Sequence, residues 1–220
     1  MKEKFKDLTK EEKEEKFNGF INYANKIKNK SLRNACINIL NDFKEELSCR
    51  GAGHDGIEKF KYNRTHQCFD GGLLDHLLNV TKISYNIALT YEKDIDIDLI
   101  LFGAILHDLG KIKIFDKYDK DNEIHSNLNY NYLLVDHVYI GEKIVEEYLS
   151  KEDISDKLKY QALHIIATHM DTLDKHMAEA YIVSYADEID AYIENIISYP
   201  RNSINPLFNT YFYESDNSDK

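Results

Sequence analysis

The sequence predicts an all-α protein, and three observations lead to this fold class. The 220 residues include only two prolines and nine glycines, so residues that break helices are scarce. Apolar residues recur at helical spacing over most of the chain. Hydrophobic residues make up 43% and charged residues 30%, which is typical of a globular protein with a buried core. We therefore expect a helical bundle with no sheet beyond a short hairpin in residues 112–135.

The N-terminal part is predicted to contain two helices. The first covers residues 9–28 and begins with TKEE, a sequence typical of a capped helix start. The second covers residues 31–47 and carries its apolar residues on one face. Glycines and an aspartate make residues 48–70 irregular. We expect residues 1–58 to form a helical extension that packs on the main domain.

The main domain is expected at residues 59–200, followed by an irregular tail at 201–220. One of its helices is almost wholly apolar and must therefore be buried on most sides. Gly110 is expected to end that helix. The predicted helices cover residues 72–91, 97–107, 137–149, 155–169 and 177–198.

Composition excludes several classes of protein. The formal net charge of −11 disfavours a dedicated nucleic-acid coat protein. The three cysteines form no CxxC pair, which indicates free thiols in a reducing compartment. There is no apolar run of about 18 residues and no apolar signal segment at the N-terminus. We therefore expect a cytoplasmic protein without membrane contact, and the sequence allows both a monomer and an oligomer.

Histidines and aspartates fall on faces that the helical pattern buries. His76 lies within an apolar stripe, His107 and Asp108 close the most hydrophobic helix, and Asp187 lies on the last helix. A lone histidine on an apolar face is more often a core residue, and an aspartate at a helix end is often a cap. Buried carboxylates cost several kcal/mol unless they are compensated. A divalent cation would compensate the whole set, and imidazole with carboxylate suits Mn, Fe, Co, Ni or Zn.

The order of these residues resembles the signature of the HD-domain metal-dependent phosphohydrolase superfamily, an all-helical fold built around a metal site. The resemblance covers about residues 60–197. The local sequences are most similar to the HD domain of bacterial 3′–5′ exoribonucleases, which act with an OB-fold partner domain. They are GGLLDH at 71–76, ILHDLGK at 105–111, DHVYIG at 136–141, HIIATH at 164–169 and DEIDA at 187–191.

The chain also differs from that branch. Met170 stands where the branch carries a second histidine, and the charged residues 171–175 replace a longer loop rich in glycine and proline. Residues 1–58 read as helices and leave no room for an OB fold. Both differences disfavour a long single-stranded RNA as the substrate.

The resemblance implies a site for two divalent cations bridged by Asp108. Manganese is the expected metal, with Fe, Ni, Co, Zn or Mg as alternatives. His164 and His169 are about 140° apart around one helix, so only one of them can face the metals, and His169 matches the family position. His137 has a second interpretation as part of its own helix cap, which would leave one metal. The expected ligands are His76, His107, Asp108, His137, His169 and Asp187.

The resemblance also implies roles in catalysis and substrate binding. Asp108 and Lys111 are expected to be catalytic, with water activated by the metals attacking phosphorus in line. Lys111, His164 and His66 are expected to contact the substrate. Lys111 could instead be a solvated residue beyond a helix end.

The expected function is hydrolysis of a phosphoester in a nucleotide or short oligonucleotide, in the manner of a 3′–5′ exonuclease. An alternative is a phosphatase or phosphodiesterase that acts on a nucleotide, a cyclic nucleotide or a cyclic dinucleotide. Two further alternatives stay open, a di-iron oxygenase of HD fold and a non-enzymatic HD scaffold. Oxygen uptake with Fe(II) would identify the oxygenase, and metal analysis would test the scaffold.

Overall fold

The structure, a computed structural model, describes residues 7–53, 66–116, 134–170 and 174–198. Within these ranges the chain forms helices and no β-strand, which confirms the all-α prediction. Most of the segment predicted to hold a hairpin, and the whole tail from residue 201, lie outside the described residues. The helices are α1 (Lys10–Ala24), α2 (Lys30–Asp42), α3 (Lys44–Ser48), α4 (Gly72–Thr90), α5 (Ile97–Leu106), α6 (Lys111–Ile114), α7 (His137–Leu149), α8 (Asp156–Thr168) and α9 (Ala178–Ser198).

Side-chain caps set the starts of several helices. Thr9 and Glu12 form the predicted capping box at α1, with each side chain accepting the other residue's backbone N–H. Asp96 caps α5, Asp136 caps α7 and Ser155 caps α8. Each cap satisfies backbone donors that the first turn leaves unpaired. These polar residues therefore determine where the helices begin.

Helix α5 lies at the centre of the bundle. Every residue from Leu99 to Leu106 is buried, and the helix packs against α1, α2, α4, α8 and α9. The N-terminal helices contribute Phe17, Phe20 and Ile39 to the same hydrophobic core. The turn that follows Leu106 is consequently held in the protein interior. None of the described helices has the length and apolarity needed to cross a bilayer.

Three predicted helix boundaries were wrong. The helix predicted at residues 9–28 is α1, which ends at Ala24. The other two errors concern short helices. The helix predicted to run to residue 47 ends at Asp42, because Phe43 leaves helical geometry with φ −111° and ψ 17°, and a separate helix starts at Lys44. The loop predicted from residue 112 contains the one-turn helix α6 in its first part. In both places a short helix follows a local break that apolar periodicity does not reveal.

Gly110 does not end α5 in the manner predicted. Its backbone is right-handed, with φ −62° and ψ −20°, whereas a glycine that terminates a helix is usually left-handed. A Cβ atom at this position would lie 1.9 Å from the carbonyl oxygen of His137 and 2.7 Å from the amide nitrogen of Gly141. Gly110 is therefore required because the first turn of α7 packs directly on its backbone.

We expect Gly110→Ala to lower the free energy of unfolding by about 3 kcal/mol, because the methyl group would push α7 away. The matched control is Gly19→Ala in α1, where the added Cβ meets only the flexible side chain of Leu78 at 3.2 Å. Alanine also favours a helix over glycine, so this control should stay within about 1 kcal/mol of wild type. Urea unfolding followed by circular dichroism measures both, and equal stability of the two variants would contradict the prediction.

Candidate metal centre

Five separate segments bring the predicted ligands together. His76 lies on the buried face of α4, and His107 and Asp108 lie in the turn after α5. His137 is the first residue of α7, His169 follows the last residue of α8, and Asp187 lies on α9. All six side chains converge on one place in the bundle, and they form two groups that share Asp108: His76, His107, Asp108 and Asp187, and Asp108, His137 and His169.

The four-residue group is defined by short distances around its centre. His76 Nε2 lies 3.0 Å from Asp187 Oδ1 and 3.3 Å from Asp108 Oδ2. His107 Nε2 lies 3.5 Å from Asp108 Oδ2 and 3.8 Å from Asp187 Oδ1. One ligand atom from each of the four lies within 4.8 Å of the others. These separations suit one cation with metal–ligand bonds of about 2.0–2.2 Å.

The three-residue group lies on the other side of Asp108. His137 Nε2 is 3.2 Å from Asp108 Oδ1, and His169 Nε2 is 3.4 Å from the same oxygen. The second oxygen of this carboxylate, Oδ2, faces the four-residue group. One carboxylate therefore presents a different oxygen to each group.

The ring nitrogens that face the two groups have no hydrogen-bond partner among the described residues. They are Nε2 of His76, His107, His137 and His169, and all are buried. Asp108 Oδ1 likewise has no hydrogen-bond partner among the described residues. Buried polar atoms nearly always have partners, so several unpaired acceptors at one point need an explanation. Divalent cations satisfy nitrogen and carboxylate lone pairs together, and the residues fit such ions.

The second nitrogen of each ring is used to orient it. His107 Nδ1 donates to the Ala104 carbonyl oxygen at 3.0 Å, and His169 Nδ1 donates to the Ile166 carbonyl oxygen at 2.7 Å. With Nδ1 protonated in this way, the lone pair of Nε2 is left to face the cluster. The orientation of both rings therefore suits metal binding.

His76 is oriented by a carboxylate that the sequence analysis did not select. Its Nδ1 donates to Asp190 Oδ2 at 2.7 Å, and the same oxygen accepts from Gln67 Nε2 at 2.8 Å. A signal for Asp190 was present, since it follows Asp187 by three residues and lies on the same face of α9. Gln67 falls in a segment without periodicity, where the sequence carries no comparable signal.

The electrostatics of the centre keep its carboxylates ionised. Burial raises the pKa of Asp108, but Lys111 and His107 outweigh this and hold the pKa well below its usual range. Burial likewise raises the pKa of Asp187, and contacts with His107 and His76 hold it well below the usual range. Burial lowers the pKa of His76, but the nearby carboxylates of Asp108, Asp187 and Asp190 raise it well above the usual range. Negative charge is therefore concentrated where cations would bind.

Two of the three predicted substrate-binding residues lie beside this centre. Lys111 Nζ is 2.5 Å from Asp108 Oδ2, and its side chain is only 13% exposed, so it is not a solvated residue. The ring of His66 lies 4.5 Å from the ring of His76, and burial lowers the pKa of His66 to about 3. His164 lies apart from the cluster, where its Nε2 accepts the backbone N–H of His176 at 3.3 Å and the two rings stack.

Comparison with known proteins gives two matches. The HD domain family matches residues 73–192, which run from the start of α4 into α9 and include all six converging side chains. The chain is also similar to the dihydroneopterin 2′,3′-cyclic phosphate phosphodiesterase of Methanocaldococcus jannaschii. The two are 29% identical over 188 residues, which cover 80% of this chain and 69% of the relative. No solved structure matches the chain.

Proposed function

The chain belongs to the HD domain family and is a metal-dependent phosphohydrolase, and we propose that it opens a 2′,3′-cyclic phosphodiester of a nucleotide or nucleotide-like compound. The proposal narrows the function expected from the sequence, a nucleotide or short oligonucleotide phosphodiesterase. The similar phosphodiesterase from M. jannaschii acts on a small cyclic phosphate, which supports a small substrate over a polymer.

The observation that carries the proposal is the carboxylate of Asp108. Its two oxygens face two different groups of ligand atoms, and the nearest histidine nitrogens lie 3.2–3.4 Å away. Sites that hydrolyse phosphodiesters with two cations hold the ions about 3.5–4 Å apart, a separation that the two oxygens of one carboxylate can span. We therefore propose two divalent cations, the first held by His76, His107, Asp108 and Asp187, and the second by Asp108, His137 and His169.

Bound cations would supply a water of lowered pKa as the nucleophile and would neutralise charge on the phosphate oxygens. The protein's own residues would position the cations and the phosphate. Asp108 would keep the two positions at a fixed separation, and the ammonium group of Lys111 lies against the same carboxylate, within reach of a phosphate at the cluster. His66, beside His76, would line the edge of the site.

The ligand types limit the choice of metal to a few ions. Four imidazoles and two carboxylates suit Mn, Fe, Co, Ni and Zn better than Mg, which prefers oxygen ligands and retains several waters. We propose manganese for this site. Metal analysis after growth in defined medium would test this assignment directly.

A substrate panel tests the function. We expect the purified protein with Mn2+ to hydrolyse nucleoside 2′,3′-cyclic phosphates to monophosphates, and a metal chelator should abolish the reaction until metal is restored. The panel should include 3′,5′-cyclic nucleotides, cyclic dinucleotides, bis(p-nitrophenyl) phosphate and a short RNA with a free 3′ end. If the protein hydrolyses the RNA and none of the cyclic phosphates, the result would favour the exonuclease alternative and contradict the cyclic-phosphate proposal. Oxygen uptake without phosphate-ester cleavage would indicate the oxygenase.

A further inference from the structure

We propose that Asp190, held by Gln67, is a positioning residue for His76 and makes the four-residue group the tighter of the two cation positions. The inference rests on the proposed function, since it takes both groups to hold cations. A cation at the four-residue group would bind more tightly than one at the three-residue group, although the two positions share Asp108.

The contact between Asp190 and His76 lies in the protein interior. The Asp190 side chain is only 6% exposed and the His76 side chain is fully buried, with 2.7 Å between Asp190 Oδ2 and His76 Nδ1. The charged acceptor fixes the proton on Nδ1, and this leaves the lone pair of Nε2 directed towards Asp108 and Asp187. A carboxylate behind an imidazole also makes the ring a stronger metal ligand.

Among the residues that the structure describes, no buried carboxylate of this kind contacts the other three histidines of the cluster. His107 and His169 donate to backbone carbonyl groups, which are neutral. His137 Nδ1 lies 3.1 Å from Asp136, but that side chain is 68% exposed, so water screens its charge. Among the described residues, a buried carboxylate therefore supports a ligand of the four-residue group and none of the three-residue group.

Gln67 holds Asp190 in place. Its side chain donates to Asp190 Oδ2 at 2.8 Å, and its Oε1 lies 2.7 Å from Nδ1 of His66. Gln67 is fully buried and has φ 42°, a left-handed conformation that residues other than glycine adopt only where their surroundings impose it.

The surroundings of Gln67 account for this backbone geometry. Its carbonyl oxygen accepts the N–H groups of Ala52 and Phe69 at 3.2 and 3.0 Å. A Cβ atom at Gly72 would lie 1.9 Å from that oxygen, so the first residue of α4 must be glycine. The backbone of Gln67 is thus anchored to the start of the helix that carries His76, and its amide is aimed at the carboxylate that orients His76.

The test is a titration of metal-free protein with Co2+ alone, without substrate. Competition with a chromophoric chelator gives the affinities, and the visible absorption of bound Co2+ reports the ligand geometry. We expect wild type to bind two ions with different affinities. Asp190→Asn, which keeps the shape and removes the charge, should weaken the tighter class by about 10–100-fold and alter its spectrum, while the weaker class is unchanged. Gln67→Met should weaken the same class to a smaller extent.

The matched control is Asp42→Asn. Asp42 accepts a hydrogen bond from the Tyr148 hydroxyl at 2.6 Å. Tyr148 is eleven residues, about 16 Å, along α7 from His137, so the same change should leave both affinities unaltered. Thermal unfolding of the metal-free proteins separates a folding defect from a binding defect. If Asp190→Asn does not fold, the affinities of Gln67→Met test the inference instead. Unchanged tight binding in the variants, or equal weakening of both classes, would overturn the inference alone. A wild-type protein that binds no metal would overturn the proposed function as well.

Discussion

Replacing Asp108 with alanine is expected to abolish phosphoester hydrolysis and to lower the metal content of the protein together. Asp108 is buried, and both of its oxygens face histidine nitrogens that have no hydrogen-bond partner among the described residues. The variant would remove a ligand from both proposed positions and leave the remaining cations without the charge that neutralises them. We expect kcat/KM to fall by more than about 10³-fold, beyond the loss caused by removing one electrostatic contact.

The measurement pairs an assay of hydrolysis with elemental analysis of the dialysed protein. Asp108→Asn preserves the side-chain shape, so it serves as a second variant if alanine disturbs folding. The control is Asp156→Asn, which changes an exposed aspartate in the first turn of α8. An active Asp108→Ala protein would contradict the proposed mechanism. An inactive variant with full metal content would contradict the proposal that Asp108 is a ligand shared by both cations.

Replacing Lys111 with alanine should slow hydrolysis by about 10²–10³-fold and leave the metal content unchanged. The Lys111 ammonium group lies 2.5 Å from Asp108 Oδ2 and is held at the edge of the proposed cation positions. Since an ammonium ion offers no lone pair and repels cations, its removal cannot weaken metal binding through charge. Its proposed role is to stabilise negative charge that develops on the phosphate.

Lys113→Ala is the matched control, because Lys113 lies on the same short helix but is exposed and extends over the ring of Phe43. It should keep the wild-type kcat/KM. Full phosphodiesterase activity in Lys111→Ala would exclude this lysine from the mechanism. An oxygenase acting on a substrate without an anionic group would not depend on Lys111, so the pair of variants also bears on that alternative.

The sequence predicts the helices best where apolar residues are dense along the segment. The helix predicted at residues 72–91 is Gly72–Thr90 in the structure, and the one predicted at 97–107 is Ile97–Leu106. In α4 the core-facing residues repeat at helical spacing, and α5 is apolar almost throughout, so the sequence predicts the burial of His76 and of the turn after α5. Helical geometry predicts that only one of His164 and His169 can face the cluster, and the family resemblance selects His169, which is the one that lies in the cluster.

Features that depend on contacts distant in the sequence could not be predicted. Gly110 resembles a helix terminator in sequence, but the reason for glycine is the backbone of α7 at His137. Gln67 has no periodic context, and its left-handed backbone depends on Gly72 and on neighbours across the irregular segment. The spacing of Asp190 from Asp187 places it on the same face of α9, but its contact with His76 depends on the packing of α4 against α9.

The distribution of the six converging residues along the chain also bears on how the protein folds. Only His107 and Asp108 are neighbours in sequence, and the others lie on four separate helices or helix ends. Bringing residues from these separate segments together closes long loops, and the chain must lose that conformational entropy before a cation can bind several ligands at once. We therefore expect cations to bind after the rate-limiting step of folding. A bound ion would slow unfolding and leave the folding rate of the chain almost unchanged.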